Sequence, residues 1–147
     1  GSFGIVFSCR RKSNNSEELA VKLIDKVEML PEDIYREVRT LQGLTHPNIL
    51  KVHDVIDEKC FVCIITDRLW GGDLVQCIKS HHGSNKRIRV GKILHLVRQM
   101  LDAIAYLHGR SIVHRDIKAD NYLLDRVSLM DGRCQVVLAD FGFACEC

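Results

Sequence analysis

The chain has 147 residues, of which 46% are hydrophobic and 27% are charged, and its formal net charge at pH 7 is +2. This length is typical of one domain with its own core, and the composition is that of a globular protein. No apolar run approaches the roughly 20 residues that a membrane-spanning helix needs. Because the net charge is small, the overall composition favours neither a nucleic-acid partner nor a membrane. The locally basic segment 79–92 is more typical of a solvated loop between helices than of a binding patch.

Periodicity predicts the elements in chain order. The segments GIVFSCR and ELAVKLID are predicted strands separated by the polar turn KSNNSE, and Pro31 begins a helix that ends near Leu41. A hairpin across 57–59 is predicted from the segments ILKVHDVI and CFVCIIT. The segment RLWGG then connects this hairpin to a short predicted helix, DLVQCIKS. An amphipathic helix follows at 90–108, and the strands YLL and QVVLA flank the loop DRVSLMDGRC. The predicted apolar face of the long helix consists of Ile93, Val97, Met100, Ile104 and Leu107.

The seven cysteines show no disulfide framework, because their number is odd and their spacing is irregular. Cys60 and Cys63 have a metal-ligand spacing, but they fall in a predicted strand and would face opposite sides. Reduced thiols and a cytoplasmic location are therefore expected. The chain opens inside a glycine-rich turn, GSFGIVF, and stops at DFGFACEC. We interpret both ends as truncated and draw no conclusion about targeting.

A carboxylate falls within the apolar stripe of the first helix. Glu37 lies between Ile34 and Leu41 when residues are placed 100° apart. A carboxylate that points into a core needs a cation, and Lys22 shares the core-facing side of its strand with Ala20. The sequence therefore predicts a contact between Lys22 and Glu37. The alternative is an error of one residue in the helix register.

The stretch IVHRDIKADNYLLD places a polar cluster between two apolar flanks. Buried charge is costly unless it is paired or used. Asp116 can accept or orient a hydroxyl proton, and Lys118 can neutralise charge on a transferred group. Asn121 and Asp140 can share Mg²⁺, which prefers a few hard oxygen ligands together with phosphate. These residue types suit phosphoryl transfer, although Asp140 has the alternative of capping a strand end.

Gly1 and Gly4 flank Ser2 and Phe3, and Val6 follows on the first predicted strand. Glycine lets backbone amides approach phosphate oxygens closely, so this turn is a candidate phosphate-binding loop. The alternative is an ordinary hairpin turn.

Five motifs in this order, GSFGIV, AVK, the helix glutamate, HRDIKADN and DFG, resemble those of a eukaryotic protein kinase domain of the serine/threonine type. Details of the strands and hinge are similar to the calcium/calmodulin-regulated and calcium-dependent kinases. The resemblance implies an α+β, two-lobed fold, with a small β-rich N-lobe at 1–66, a hinge at 67–70 and the first part of a helical C-lobe at 71–147. It implies transfer of the γ-phosphoryl group of Mg-ATP to a protein hydroxyl, although we expect the 147-residue chain alone to be inactive. The alternative is a pseudokinase scaffold. Pseudokinases typically lose the strand lysine, the catalytic aspartate or the magnesium aspartate, whereas this chain retains Lys22, Asp116 and Asp140.

The resemblance also implies roles for individual residues. The catalytic residues would be Asp116, Lys118 and Asn121, and the Mg²⁺ ligands would be Asn121 and Asp140. The ATP-binding residues would be Gly1, Gly4, Val6, Ala20, Lys22, Glu37, Thr66, Asp67, Leu69, Asp73 and Leu123. His114 would pack with Leu41, Val52 and Phe141.

Substrate choice and control follow from the same resemblance. Phe143 would favour serine over threonine, and the acids Asp73 and Asp120 would favour protein substrates with basic residues upstream of the acceptor. Asp73 has the additional possibility of capping the helix that it precedes. Arg115 would pair with an activating phosphate or brace its own loop. Calcium or calmodulin would act through regions outside this chain.

Overall fold

A computed structural model describes residues 4–83 and 87–147, the side chains at 14–16 excepted. The first part is an antiparallel sheet of four strands in the order β1-β2-β4-β3. Its elements are β1 (Ile5–Arg11), β2 (Asn14–Asp25), α1 (Pro31–Gln42), β3 (Val52–Asp57) and β4 (Phe61–Asp67). The apolar face of α1 packs on this sheet through a cluster of five fully buried residues, Ile24, Ile34, Val38, Val62 and Ile64.

The second part is mainly helical, with two short antiparallel strand pairs, β5 with β8 and β6 with β7. Its elements are α2 (Leu74–Gly83), α3 (Val90–His108), β5 (Ile112–Val113), a 3-10 turn (Ala119–Asn121), β6 (Tyr122–Leu124), β7 (Val136–Leu138) and β8 (Cys145–Glu146). This arrangement confirms the predicted α+β architecture with a β-rich part followed by a helical part. Among the described helices, none combines the length and apolar character that crossing a bilayer demands. The boundaries proposed for lobes and hinge remain a prediction.

Two sequence-based expectations were wrong in detail. The turn predicted at 12–17 is shorter, because Arg11 already pairs with Asn14 and backbone pairing extends the hairpin through polar residues. Residues 79–83 of the basic segment are helical and belong to α2. On the predicted apolar face of α3, Leu107 is buried, Met100 and Ile104 are partly buried, and Ile93 and Val97 are exposed, whereas Leu96 and Ala103 beside that face are buried. Since α3 is apolar around much of its circumference, its packing partners and not its periodicity select the buried stripe.

The segment that follows α1 is attached to the second part of the molecule. The backbones of Asn48 and Leu50 bond to that of Leu138 on β7, each at 2.9 Å. The Asn48 side chain donates to the Val136 carbonyl at 2.8 Å and to the Gln99 side chain at 2.9 Å. This attachment fixes the C-terminal end of α1 relative to the helical part.

The connector between the two parts is equally constrained. The Gly71 amide donates to the Leu124 carbonyl at 2.8 Å, and a Cβ at position 71 would lie only 2.1 Å from the Arg126 carbonyl oxygen. No side chain fits there, so glycine is required for the close approach of connector and β6. The connector is tied to the sheet by Arg68, which lies 3.5 Å from the Glu18 carboxylate and stacks 4.0 Å from the Trp70 ring centroid.

Candidate active site

A cleft of about 470 Å³ opens between the four-stranded sheet and the helical part. This volume lies in the range typical of small-molecule sites. The cleft brings together most of the predicted nucleotide and metal residues, namely Gly4, Val6, Ala20, Lys22, Glu37, Thr66, Asp67, Leu69, Asp73, Asn121, Leu123 and Asp140. Gly1 lies outside the described residues. The walls combine an apolar end near the connector with a polar end near Lys22 and Asp140.

The backbone at Gly4 depends on glycine for its own packing. Its φ is +151°, and a Cβ there would lie 2.5 Å from the Leu23 carbonyl oxygen. Glycine is therefore required where β1 begins against β2, whatever the ligand. Contact between this turn and phosphate remains a prediction.

The predicted contact between Lys22 and Glu37 is present. The Lys22 Nζ donates to Glu37 Oε1 at 2.9 Å, and the Glu37 side chain is only 3% exposed. Lys22 lies on β2 opposite Ile64, and Glu37 lies on α1 beside the apolar stripe that packs on the sheet. A buried ion pair is weak evidence for stability, because desolvation offsets most of its attraction. Its clearer consequence is that the Lys22 ammonium is held at the polar end of the cleft.

The loop before β6 places the side chains of Lys118 and Asn121 in contact with Asp116. Lys118 Nζ donates to Asp116 Oδ2 at 2.7 Å, and the Asn121 amide donates to the same oxygen at 2.9 Å and to the Asp116 carbonyl at 2.8 Å. Hydrogen bonds from Lys118 and then Asn121 lower the pKa of Asp116, and Asp116 in turn raises the pKa of Lys118. Asp116 is therefore a carboxylate at neutral pH, suited to accept a hydrogen bond from a hydroxyl.

Asn121 and Asp140 line the same end of the cleft. Both amide hydrogens of Asn121 are used by Asp116, so its side-chain oxygen is left to accept or ligate. Asp140 follows β7 with a φ of +61°, a conformation that β-branched residues rarely adopt. One carboxylate and one amide oxygen form a hard donor set, which fits Mg²⁺ when phosphate oxygens complete its coordination.

His114 is a packing residue in this structure. It is 3% exposed, its Nε2 hydrogen-bonds the Ala139 carbonyl at 3.1 Å, and its ring meets Phe141 edge-on with centroids 4.7 Å apart. Burial lowers the pKa of His114, so the ring is neutral at pH 7. The predicted packing with Phe141 is thus observed, and Leu41 belongs to the same buried cluster with Val52 against it.

Sequence reasoning missed an interaction of the connector. The His53 side chain is only 13% exposed, and its Nε2 lies 2.5 Å from Oδ1 of Asp67, the first residue of the predicted hinge. The β3–β4 register shifts between Val52 and Asp54, and this irregularity includes His53. Periodicity within a single strand carries no signal for such a cross-strand contact.

Asp73 also acts locally, as the alternative interpretation expected. Its Oδ1 accepts a hydrogen bond from the Gln76 amide at 2.7 Å, so it caps the first turn of α2. Its side chain also lines the cleft.

Comparison with known proteins identifies the family. The model described as "Protein kinase domain" matches residues 1–147. The chain belongs to the protein kinase family. This kinase domain is 33% identical over 149 residues to CBL-interacting protein kinase 25 from Oryza sativa subsp. japonica. It is 36% identical, over 149 residues in each case, to the proteins named calcium/calmodulin-dependent protein kinase type II from Caenorhabditis elegans and Caenorhabditis briggsae.

These alignments cover 98%, 99% and 99% of this kinase domain. They cover only 28%, 20% and 26% of the respective relatives, so the chain spans less than a third of the proteins it matches. The resemblance inferred from the motifs is confirmed at the level of family and fold.

Proposed function

We propose that this kinase domain transfers the γ-phosphoryl group of Mg-ATP to a serine or threonine hydroxyl of a protein. One observation carries the proposal. The paired Lys22 and Glu37 lie in the same cleft as Asn121 and Asp140, and Asp116 is hydrogen-bonded to Asn121. A pseudokinase scaffold would have no need for this complete set of charged and polar groups.

The apolar end of the cleft suits adenine. Val6 and Ala20 on the sheet side and Leu123 on the opposite side line it together, as expected for a ring held between apolar surfaces. Thr66 is buried at the end of β4, and the backbone at 67–69 offers hydrogen-bonding groups. In this arrangement Lys22, oriented by Glu37, meets the α- and β-phosphates.

We assign the phosphoryl-transfer step to the polar end of the cleft. Asp116 orients the acceptor hydroxyl and takes its proton as the oxygen attacks the γ-phosphorus and the bond to the β-phosphate oxygen breaks. Lys118 places positive charge beside the oxygens of the transferred group. Asn121 and Asp140 would hold Mg²⁺, which when bound neutralises phosphate charge and aligns the phosphates. The contribution of the protein is positioning and electrostatics.

Basic peptides are the proposed substrates, with serine preferred over threonine. Asp73 caps α2 with one carboxylate oxygen, which leaves the other to accept from an arginine upstream of the acceptor, and Asp120 adds a second carboxylate nearby. Phe143, by resemblance to the family, favours serine. A positional peptide library run on the full-length protein tests both points. Equal rates with and without upstream arginine would remove the basic preference, and faster threonine phosphorylation would remove the serine preference.

Regulation by calcium or calmodulin is proposed because two of the similar proteins carry those words in their names. Arg115 is exposed and its Nε donates to the Phe143 carbonyl at 2.5 Å, so it braces the segment after DFG. An activating phosphate that pairs with its terminal nitrogens would order that segment further. Loss of activity on dephosphorylation of the full-length protein tests this role. A cytoplasmic location is proposed with it.

The decisive experiment replaces one oxygen donor. Asp140→Asn in the full-length protein should lower kcat by about 100-fold or more, because a carboxylate that holds Mg²⁺ is lost. Asp102→Asn, which removes an exposed carboxylate on α3, is the matched control and should leave kcat unchanged. Near-normal turnover by Asp140→Asn would exclude the assigned role. If the wild-type protein binds ATP, with or without Mg²⁺, and phosphorylates no peptide in the library, the scaffold alternative is correct.

A further inference from the structure

We propose that Tyr35, Asp57 and Lys26 are positioning residues that hold α1 in the orientation in which Glu37 meets Lys22. We call these three residues the outer tether. The inference rests on the proposed function, because the pair that the tether positions is assigned to ATP.

The tether is a compact set of hydrogen bonds around one carboxylate. Tyr35 on α1 donates its hydroxyl to Asp57 Oδ2, and Lys26 donates its ammonium to Asp57 Oδ1. Lys26, and then Tyr35, lower the pKa of Asp57, so the acceptor is ionised and both bonds are charge-assisted. Asp57 ends β3, and Lys26 directly follows β2, the strand that carries Lys22. The tether therefore joins α1 to two strands of the sheet.

The position of Tyr35 on the helix opposes rotation of α1. With 100° between successive residues, Tyr35 lies on one flank of the buried stripe formed by Ile34 and Val38, and Glu37 lies on the other flank. Each flank is bonded to the sheet, Glu37 through Lys22 and Tyr35 through Asp57. A roll of α1 that withdraws Glu37 from Lys22 must also displace the Tyr35 hydroxyl.

The tether acts on the end of α1 that is otherwise weakly held. The C-terminal end continues into the segment bonded to β7, where Asn48 and Leu50 are fixed. At the N-terminal end, Leu30 is the N-cap residue, makes no side-chain capping bond and is 71% exposed. A swing of α1 about its C-terminal end would therefore be opposed mainly by the buried stripe and by the tether.

A hydrogen-bonded ion pair at a surface often has no measurable consequence. What distinguishes a tether from such a pair is energetic coupling to Glu37, because residues that act through one another give non-additive effects. Tyr35→Phe is the clean perturbation, since the ring of Tyr35 packs on the buried cluster under α1 and is retained.

The first test is a double-mutant cycle in the full-length protein. Tyr35→Phe should lower kcat/KM for ATP by about threefold to tenfold, the effect of losing one solvent-exposed hydrogen bond of ordinary net strength. In a Glu37→Gln background the same change should alter kcat/KM by less than about twofold, because the pair that the tether positions is already lost. Equal losses in both backgrounds would overturn the inference.

The second test does not require phosphoryl transfer. Acetic anhydride labels free amines, and mass spectrometry can follow the acetylation of Lys22, whose Nζ is engaged by Glu37 Oε1 at 2.9 Å. Tyr35→Phe should raise the rate at Lys22 by about threefold, whereas an unchanged rate would overturn the tether. If labelling rises while the wild-type protein phosphorylates nothing, the tether stands and the proposed function fails.

The control is an ion pair confined to the same helix. Asp33 and Arg36 lie 2.7 Å apart on α1. Asp33→Asn should leave kcat/KM and the acetylation rate of Lys22 at wild-type values. Changes as large as those of Tyr35→Phe would indicate general weakening of α1 and would overturn the inference.

Discussion

Replacement of Tyr122 by phenylalanine should stabilise the domain. Tyr122 lies on β6 and is 1% exposed, and its hydroxyl oxygen has no hydrogen-bond partner among the described residues. Burial also raises the pKa of Tyr122, so the hydroxyl remains neutral. The ring packs in the main core beside neighbours such as Leu107 and Phe141. Tyr122→Phe would keep that packing and remove only the unpaired oxygen.

The magnitude follows from two opposing terms. A buried hydroxyl without a partner costs about 1–3 kcal/mol. Removal of the oxygen leaves a void of roughly 12 Å³, which costs about 0.3 kcal/mol. The net stabilisation is therefore about 0.7–2.7 kcal/mol, which corresponds to a rise in Tm of about 1–11 °C for a domain of this size.

Thermal and urea unfolding of the full-length protein at pH 7 measures this change in its kinase domain. Tyr106→Phe is the matched control, because the Tyr106 hydroxyl accepts a hydrogen bond from the Thr45 amide at 3.0 Å. The control should be destabilised by about 0.5–1.5 kcal/mol. The same chemical change thus has opposite signs at the two positions. An unchanged or lowered Tm for Tyr122→Phe would refute the reasoning, since it would mean that the hydroxyl is satisfied.

Three further predictions concern pH and backbone packing. Burial raises the pKa of Cys134 from 9.0 to about 11. Because the thiol then ionises at a lower pH in the unfolded chain than in the folded one, the domain should lose up to about 2.7 kcal/mol of stability as the pH rises from 9 to 11. Unfolding of Cys134→Ala should show a shallower loss across that window. Lys118→Met removes the largest cause of the lowered pKa of Asp116, so the acidic limb of the pH profile of kcat/KM should move to higher pH. An acidic limb at the wild-type pH would contradict the assignment of that limb to Asp116. Gly71→Ala should destabilise the domain, because the added Cβ would lie 2.1 Å from a backbone carbonyl oxygen. Gly91→Ala, in open space on α3, should stabilise the domain by about 1 kcal/mol, and chemical denaturation distinguishes the two signs.

The sequence by itself determined most of the local elements and the identity of the polar cluster. The periodicity around Pro31 placed Glu37 within a buried stripe, and strand alternation made Lys22 its partner, a contact that the structure contains. The limits of α3 at 90 and 108 were also predicted as observed. These successes share a cause, because helix and strand periods act between residues that are near in sequence.

Only the tertiary structure decided which surfaces meet. It selected Leu96 on α3 for burial in place of Ile93, paired His53 with Asp67, and joined Tyr35 to Asp57. Each of these depends on strand register or on the placement of one element against another. The periodicity of a helix or strand shows on which face a residue lies. The partner that this face meets is set by chain segments distant in sequence, because their packing optimises the buried area of the whole core.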